Sequence, residues 1–186
     1  MARGLAVLPD HEPLQGRSPV IAYVGLGANL GDAQAAVLQA IQALAQLPST
    51  QLIHCSSMYR TAALDSGAAP LAGTTRPEPD YVNAVAEIST RLPAPVLLDH
   101  LHALEQAAGR QRPYPNAPRT LDLDLLLYGS AVVQSTRLVL PHPRMYQRAF
   151  VLIPLAEITV RLVNADQLRA VALQRIERIS HTRDEV

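Results

Sequence analysis

Two carboxylates one residue apart, Asp122 and Asp124, stand inside the most apolar run of the chain, Arg119-Thr120-Leu121-Asp122-Leu123-Asp124-Leu125-Leu126-Leu127-Tyr128-Gly129. Successive side chains of a β-strand point to opposite faces, so a strand here sends Leu121, Leu123 and Leu125 to one side and Asp122 and Asp124, with Thr120, to the other. At about 3.3 Å of rise per residue the two Cα atoms lie roughly 6.6 Å apart. From that separation both carboxylates can converge on hard cations that bridge a polyphosphate. Aspartate is disfavoured in strands, and two anions on one face call for a compensating cation. Arg110, Arg112 and Arg119 lie in or beside the loop that enters the strand. A guanidinium offers phosphate oxygens several fixed donors and stays charged. The plainer alternative is a solvated strand face whose arginines only neutralise the aspartates.

Composition narrows the choice. A chain of 186 residues with 48% hydrophobic content suits one domain with a substantial core. Lys+Arg and Asp+Glu balance at 16 each, so nothing global points to nucleic acid or an anionic membrane. Cys55 is the only cysteine, which excludes an intramolecular disulfide and a cysteine zinc cluster and suits a reducing cytoplasm. No apolar run approaches the ~20 residues of a membrane span, and the first residues lack a signal peptide's apolar core. The expectation is a cytoplasmic monomer that acts on small molecules.

The elements that must position the aspartates are legible in order. Residues 1–18 mix proline, glycine and charge without a period and read as a flexible extension, leaving 19–186 as a single domain. Pro19 to Leu26 reads as a buried strand. Gly25, Gly27 and Gly31 do not make a dinucleotide fingerprint, no Gly-Lys-Ser/Thr is present, and they are read as tight-turn residues at the strand's end. Asp32 caps a helix with Val37, Ile41, Leu44 and Leu47 inward and Pro48 as its stop.

Gln51 to Thr61 reads as a second strand, and Asp80 to Thr90 as a third after a long loop from Ala62 to Pro79. In the third strand Val82, Ala84, Ala86 and Ile88 share one face, and Tyr81, Asn83, Val85 and Glu87 the other. Tyr81 and Asn83 can thus offer a ring and an amide side by side to a flat heteroaromatic ligand. A second helix opens at Pro95 and ends near Gly109, with Glu105 against the dipole preference of its C-terminal end. Such a Glu is either solvated or accepts a hydrogen bond from a ligand.

After the aspartate strand a hairpin is expected over 131–140. Pro141-His142-Pro143-Arg144 then turns into a helix that contains Arg148 and Phe150 and ends or kinks at Pro154. A last amphipathic helix runs from Asp166 to Ile179. The order β-α-β-β-α-β, then hairpin and helices, predicts an α+β, ferredoxin-like antiparallel sheet with helices packed on it.

The segments YVGLGANLGD, SSMYRTAAL, PDYVNA, LEQAAGRQR, APRTLDLDLLLYG and LPHPRMYQRAFVLIPLAEI occur in this order. Together they make residues 20 to 160 resemble the 6-hydroxymethyl-7,8-dihydropterin pyrophosphokinases of folate biosynthesis. The resemblance implies that Asp122 and Asp124 hold two Mg²⁺ ions on the phosphates of ATP and that Arg110 and Arg119 stabilise the transferring group. It places Glu105, Arg112, Arg137, His142 and Arg148 at the ATP site, and Thr61, Leu64, Tyr81, Asn83 and Phe150 around the pterin. It also implies the reaction, in which the pterin hydroxymethyl oxygen attacks the β-phosphorus of ATP and AMP leaves. No side-chain base is evident for that oxygen, and coordination to metal is the expected source of its activation.

Departures from the family pattern fall at Ala62-Ala63, where Pro-Pro is frequent, and in a shortened Tyr114-Pro115-Asn116-Ala117 loop that lacks an Arg-Trp pair. Val139 replaces a frequent Thr, and Pro143 an aromatic beside His142. Two rivals remain: a two-metal nucleotidyltransferase, which would release pyrophosphate, and a non-catalytic ferredoxin-like module binding RNA. Six Tyr, one Phe, no Trp and zero net charge argue against the second.

Overall fold

The computed structural model describes residues 17–62, 79–109 and 120–180. Eight strands and four helices follow in the order β1 (Val20–Ala28), α1 (Ala33–Ala45), β2 (Thr50–Cys55), β3 (Tyr59–Thr61), β4 (Tyr81–Thr90), α2 (Ala94–Ala107), β5 (Asp122–Tyr128), β6 (Val133–Gln134), β7 (Val139–Leu140), α3 (Ala149–Ile158), α4 (Ala165–Val171) and β8 (Ile176–Arg178). The main sheet runs β5-β1-β4-β3-β8, with β2 also paired to β4, and every pairing is antiparallel. This is the expected ferredoxin-like arrangement. The extension expected over 1–18 lies almost wholly outside the described residues.

Alternation along the strands divides the sheet's two faces. Ala22, Val24, Leu26 and Ala28 of β1, Val82, Ala84, Ala86 and Ile88 of β4, and Leu123 and Leu125 of β5 join Leu121 in one core with Val37, Ala40 and Leu44 of α1 and Leu97, Leu98 and Leu101 of α2. Tyr23, Val85 and Leu126 face the other way and pack under α3 and α4 with Leu152, Leu155 and Val171. A register shift in the β1–β5 pairing, with Leu126 the extra residue, puts Leu127 beside Leu126 at the second core and returns Tyr128 to the first. Asp32 caps α1 as expected, its carboxylate accepting from the Ala35 amide at 2.9 Å.

Three expectations change. The strand expected over 51–61 is two strands, because three residues, 56–58, face two positions of β4 between the Cys55–Ala86 and Tyr59–Asn83 pairs. Ser56 closes the gap: its amide donates to Val85 O at 2.9 Å and its hydroxyl accepts from Val85 N at 3.0 Å. Pro154 does not end α3, which runs on to Ile158. Burial of Leu152, Pro154 and Leu155 offsets a loss of about 3 kcal/mol that a proline costs in a helix interior.

The final helix stops at Val171, and Ile176–Arg178 pairs with β3 instead, so the helix expected through Ile179 is cut short. Gln174 explains where the chain turns. Its side chain accepts from Ala149 N and donates to Gln147 O, both at 2.8 Å, holding the segment against the start of α3. β3 then offers an unpaired edge that Ile176–Arg178 fills.

Candidate active site

Strand register brings the chemistry-bearing residues into one row. Gly27 of β1 lies opposite Asp122 on one side and Asn83 on the other, and Asn83 lies opposite Tyr59. Directly opposed residues share a face, so Asp122, Gly27, Asn83 and Tyr59 cross four strands on the face away from α1 and α2. A neighbouring row holds Asp124, Gly25 and Val85. Two strand spacings, about 10 Å, separate Asp122 from Asn83, and glycine is all that lies between them in the row.

Gly25 and Gly27 are therefore interior strand residues, and reading them as turn residues is corrected. Gly31, with φ +62°, is the turn glycine. A Cβ at Gly27 would stand 3.2 Å from Asn83 Oδ1, tighter than ordinary contact, whereas one at Gly25 would meet only the flexible Leu126 side chain at 3.5 Å. Glycines two apart fall on the same face when a strand runs through them, but their types alone do not show whether it does.

On the β5 side, Asp124 gathers positive charge. Arg148 Nη1 lies 3.6 Å and His142 Nε2 3.9 Å from Asp124 Oδ2. His142 Nδ1 accepts from Arg144 N at 3.3 Å, which puts the imidazole proton on Nε2, facing Asp124. Burial lowers the His142 pKa, against the pull of Asp124 and with help from Arg148 and Arg144. Arg148 stands at the N-terminus of α3 rather than inside the helix, with its guanidinium carbon 5.2 Å from the Phe150 ring centre.

Glu105 is 2% exposed, so the solvated alternative falls. Its carboxylate accepts from Leu123 N, the amide between the two aspartates, at 2.8 Å. β5 is the sheet's edge strand, and Glu105 satisfies an amide that an edge leaves without a ladder partner.

On the β4 side, Asn83 is 4% and Thr61 8% exposed, and Asn83 Nδ2 donates to Thr61 Oγ1 at 3.0 Å. Tyr81 lies opposite Thr61 on the same face. Asn29, also buried, donates to Pro79 O at 3.4 Å and ties the end of β1 to the start of β4.

Among the described residues no group of three or more His, Cys, Asp or Glu is gathered. Two carboxylates on one strand face do not form an all-protein cage. They fit Mg²⁺, which keeps water and takes further ligands from substrate phosphates. Thr120, just before the strand, adds a buried hydroxyl without a hydrogen-bond partner among the described residues.

Residues 23–160 match the family described as 7,8-dihydro-6-hydroxymethylpterin-pyrophosphokinase (HPPK). The chain belongs to this family. A 2-amino-4-hydroxy-6-hydroxymethyldihydropteridine pyrophosphokinase of Haemophilus influenzae is 42% identical over 144 residues, 77% of this chain and 84% of the relative. The Methylorubrum extorquens enzyme of that name is 38% identical over 156 residues, 84% of this chain and 93% of the relative. In fold, the chain is similar to wild-type Plasmodium falciparum HPPK-DHPS crystallised with SDX-DHP, with TM-score 0.53 at 12% identity. That likeness covers 77% of this chain and 42% of the longer Plasmodium one.

Of the residues that the HPPK resemblance singled out, the structure brings Asp124, His142 and Arg148 together and pairs Asn83 with Thr61. Asp122 and Tyr81 lie on the same sheet face, and Phe150 lies under Arg148. Arg137, between β6 and β7, forms an exposed ion pair with Asp99 of α2. Arg110, Arg112, Arg119 and Leu64, with Ala63 and the altered 114–117 loop, lie outside the described residues.

Proposed function

We propose that this HPPK-family chain transfers the β,γ-diphosphate of ATP to the hydroxymethyl group of 6-hydroxymethyl-7,8-dihydropterin with a site divided across one sheet face. The observation that carries the reading is the row Asp122–Gly27–Asn83, which sets an anionic pole and an amide pole about two strand spacings apart over bare backbone. Phosphate binds at the β5 end and pterin at the β4 end, so the hydroxymethyl oxygen meets the β-phosphorus above Gly25 and Gly27.

Asp122 and Asp124 hold two Mg²⁺ ions, which on binding supply charge neutralisation to the phosphates. Glu105 keeps β5 in place by holding the amide between the aspartates. Arg148 and the Nε2–H of His142 stand next to Asp124 as donors for phosphate oxygens. Arg110, Arg112 and Arg119, which precede β5 in the sequence, and Arg137, which leaves its exposed Asp99 pair, add donors for the same phosphates. Asn83 reads the amide edge of the pterin with Thr61 fixing its orientation, while Tyr81, Leu64 and Phe150 cover the ring faces. Positioning and electrostatics supply most of the acceleration in such a transfer. The enzyme acts as a cytoplasmic monomer.

Incubation with Mg²⁺, ATP and the pterin, followed by identification of the nucleotide product, tests this. Pterin-dependent AMP, lost by at least about a thousandfold in folded Asp122→Asn and Asp124→Asn variants, is expected. Formation of ADP, or release of free pyrophosphate, would contradict it.

A further inference from the structure

A second polar cluster lies at the far end of α3, outside the residues assigned to substrates. Glu157, in the last turn of α3, receives Ser57 N at 3.0 Å and Tyr59 OH at 2.9 Å on Oε2, and Ser57 Oγ at 2.7 Å on Oε1. Arg178 of β8 joins from outside, 3.4 Å from Glu157 Oε1 and 2.8 Å from Ser57 Oγ. Burial works to raise the Glu157 pKa, but the hydrogen bonds from Ser57 and Tyr59 and the charge of Arg178 outweigh it and hold the carboxyl below its ordinary value. Cys55, the neighbouring thiol, is pushed up to about 11 by burial and then by Glu157, and stays protonated.

The cluster is directed at β3. Its three residues pair with β4 through Tyr59–Asn83, Arg60–Val82 and Thr61–Tyr81. On its other edge the same three residues pair with β8, but both ladders are only three residues long and the strand is entered through the irregular Ser56–Met58 step, so side-chain anchors add to its hold. Glu157 grips it at Ser57 and Tyr59, and Thr61, two residues on, holds the Asn83 amide. Tyr59 is also the residue opposite Asn83. The other end of α3 carries Arg148 beside Asp124, with Phe150 under its guanidinium. From Ala149 to Glu157 the helix rises about 12 Å, so it ties the nucleotide end of the site to the strand that presents Thr61.

We propose that Glu157 is a positioning residue for the acceptor half of the site: through Ser57 and Tyr59 it fixes β3 and so the Thr61–Asn83 pair that reads the pterin. The inference rests on the assignment of Asn83 to the pterin. It goes beyond that assignment because Glu157 contacts neither substrate.

Steady-state kinetics on the full chain, with Mg²⁺, ATP and 6-hydroxymethyl-7,8-dihydropterin, test it through four variants. Glu157→Ala raises KM for the pterin about tenfold while KM for ATP stays within about twofold. Glu157→Gln, which keeps an acceptor oxygen for Tyr59 and Ser57, restores most of the loss. Arg178→Ala, which removes the outer ion pair and the Arg178 hydrogen bond to Ser57 Oγ but keeps the Glu157 bonds to Ser57 and Tyr59, leaves both constants within about twofold. Asn83→Ala raises the pterin KM at least as far as Glu157→Ala. A merely structural Glu157 would lower the melting temperature and move both KM values together, or neither, and that result overturns the proposal. If Asn83→Ala raises the pterin KM and a folded Glu157→Ala does not, the Glu157 inference alone falls. If Asn83→Ala has no effect on the pterin KM, the pterin assignment falls and the inference with it.

Discussion

Gly27 sets how closely any molecule spanning the two poles can approach the sheet. A methyl group there presses on Asn83 Oδ1 at 3.2 Å, while the same methyl at Gly25 meets Leu126 at an ordinary 3.5 Å. Alanine in a strand interior gains roughly 0.5–1 kcal/mol over glycine through backbone entropy, so Gly25→Ala should melt no earlier than wild type. Gly27→Ala should raise the pterin KM about tenfold and Gly25→Ala should leave it within about twofold; equal effects from the two would show that the Asn83 amide does not depend on a bare position 27. The aspartates were legible because Asp-Leu-Asp alternates inside an apolar strand. The role of the glycines was not, since a glycine-rich strand end looks the same whether it turns or lies flat. Glu105 was legible only as an anomaly at the end of α2: its target is a backbone amide, and amides carry no side-chain signature.

Elements show the same division. Period-2 and period-3.6 patterns located β1, α1, β4, α2 and β5 because each buries one continuous apolar face. The break between β2 and β3 had no such signal. It depends on one hydroxyl, Ser56, taking the place of a carbonyl in the ladder. Ser56→Ala leaves the buried Val85 amide without that acceptor, at a cost of about 1–3 kcal/mol. Calorimetry should then show a fall in melting temperature of roughly 2–10 °C for a chain of this size, and an unchanged melting temperature would mean that the ladder closes without Ser56. The last strand was hidden for a different reason. Ile176 and Ile179 fit a helical stripe as well as a strand, and the open edge of β3, formed far away in sequence, chooses between them.

At the scale of the molecule, the fold places a charged pole and an amide pole on one face and joins them by α3. Acid should loosen both ends in separate windows. The unfolded chain protonates His142 near its ordinary 6.5, while the folded chain resists until lower pH, so stability falls as pH drops below 6.5 toward the lowered value. Glu157 is held below its ordinary 4.5, so its contribution is complete above 4.5 and is lost as pH falls through the depressed value. Metal-free melting curves should show His142→Gln losing less stability than wild type across the upper window, and Glu157→Gln losing less across the lower one; parallel losses in all three proteins would contradict the two origins. The division of the face itself is tested most directly by binding. Dissociation constants would be measured for a non-hydrolysable ATP analogue with Mg²⁺, then for the pterin at saturating analogue, in wild type, Asp124→Asn and Asn83→Ala. Asn83→Ala should weaken the pterin at least about tenfold and leave the analogue unchanged, while Asp124→Asn should weaken the Mg²⁺-dependent binding of the analogue by a similar factor. If Asn83→Ala weakens both ligands equally, or Asp124→Asn leaves the Mg²⁺ dependence intact, the two poles do not divide the substrates as described.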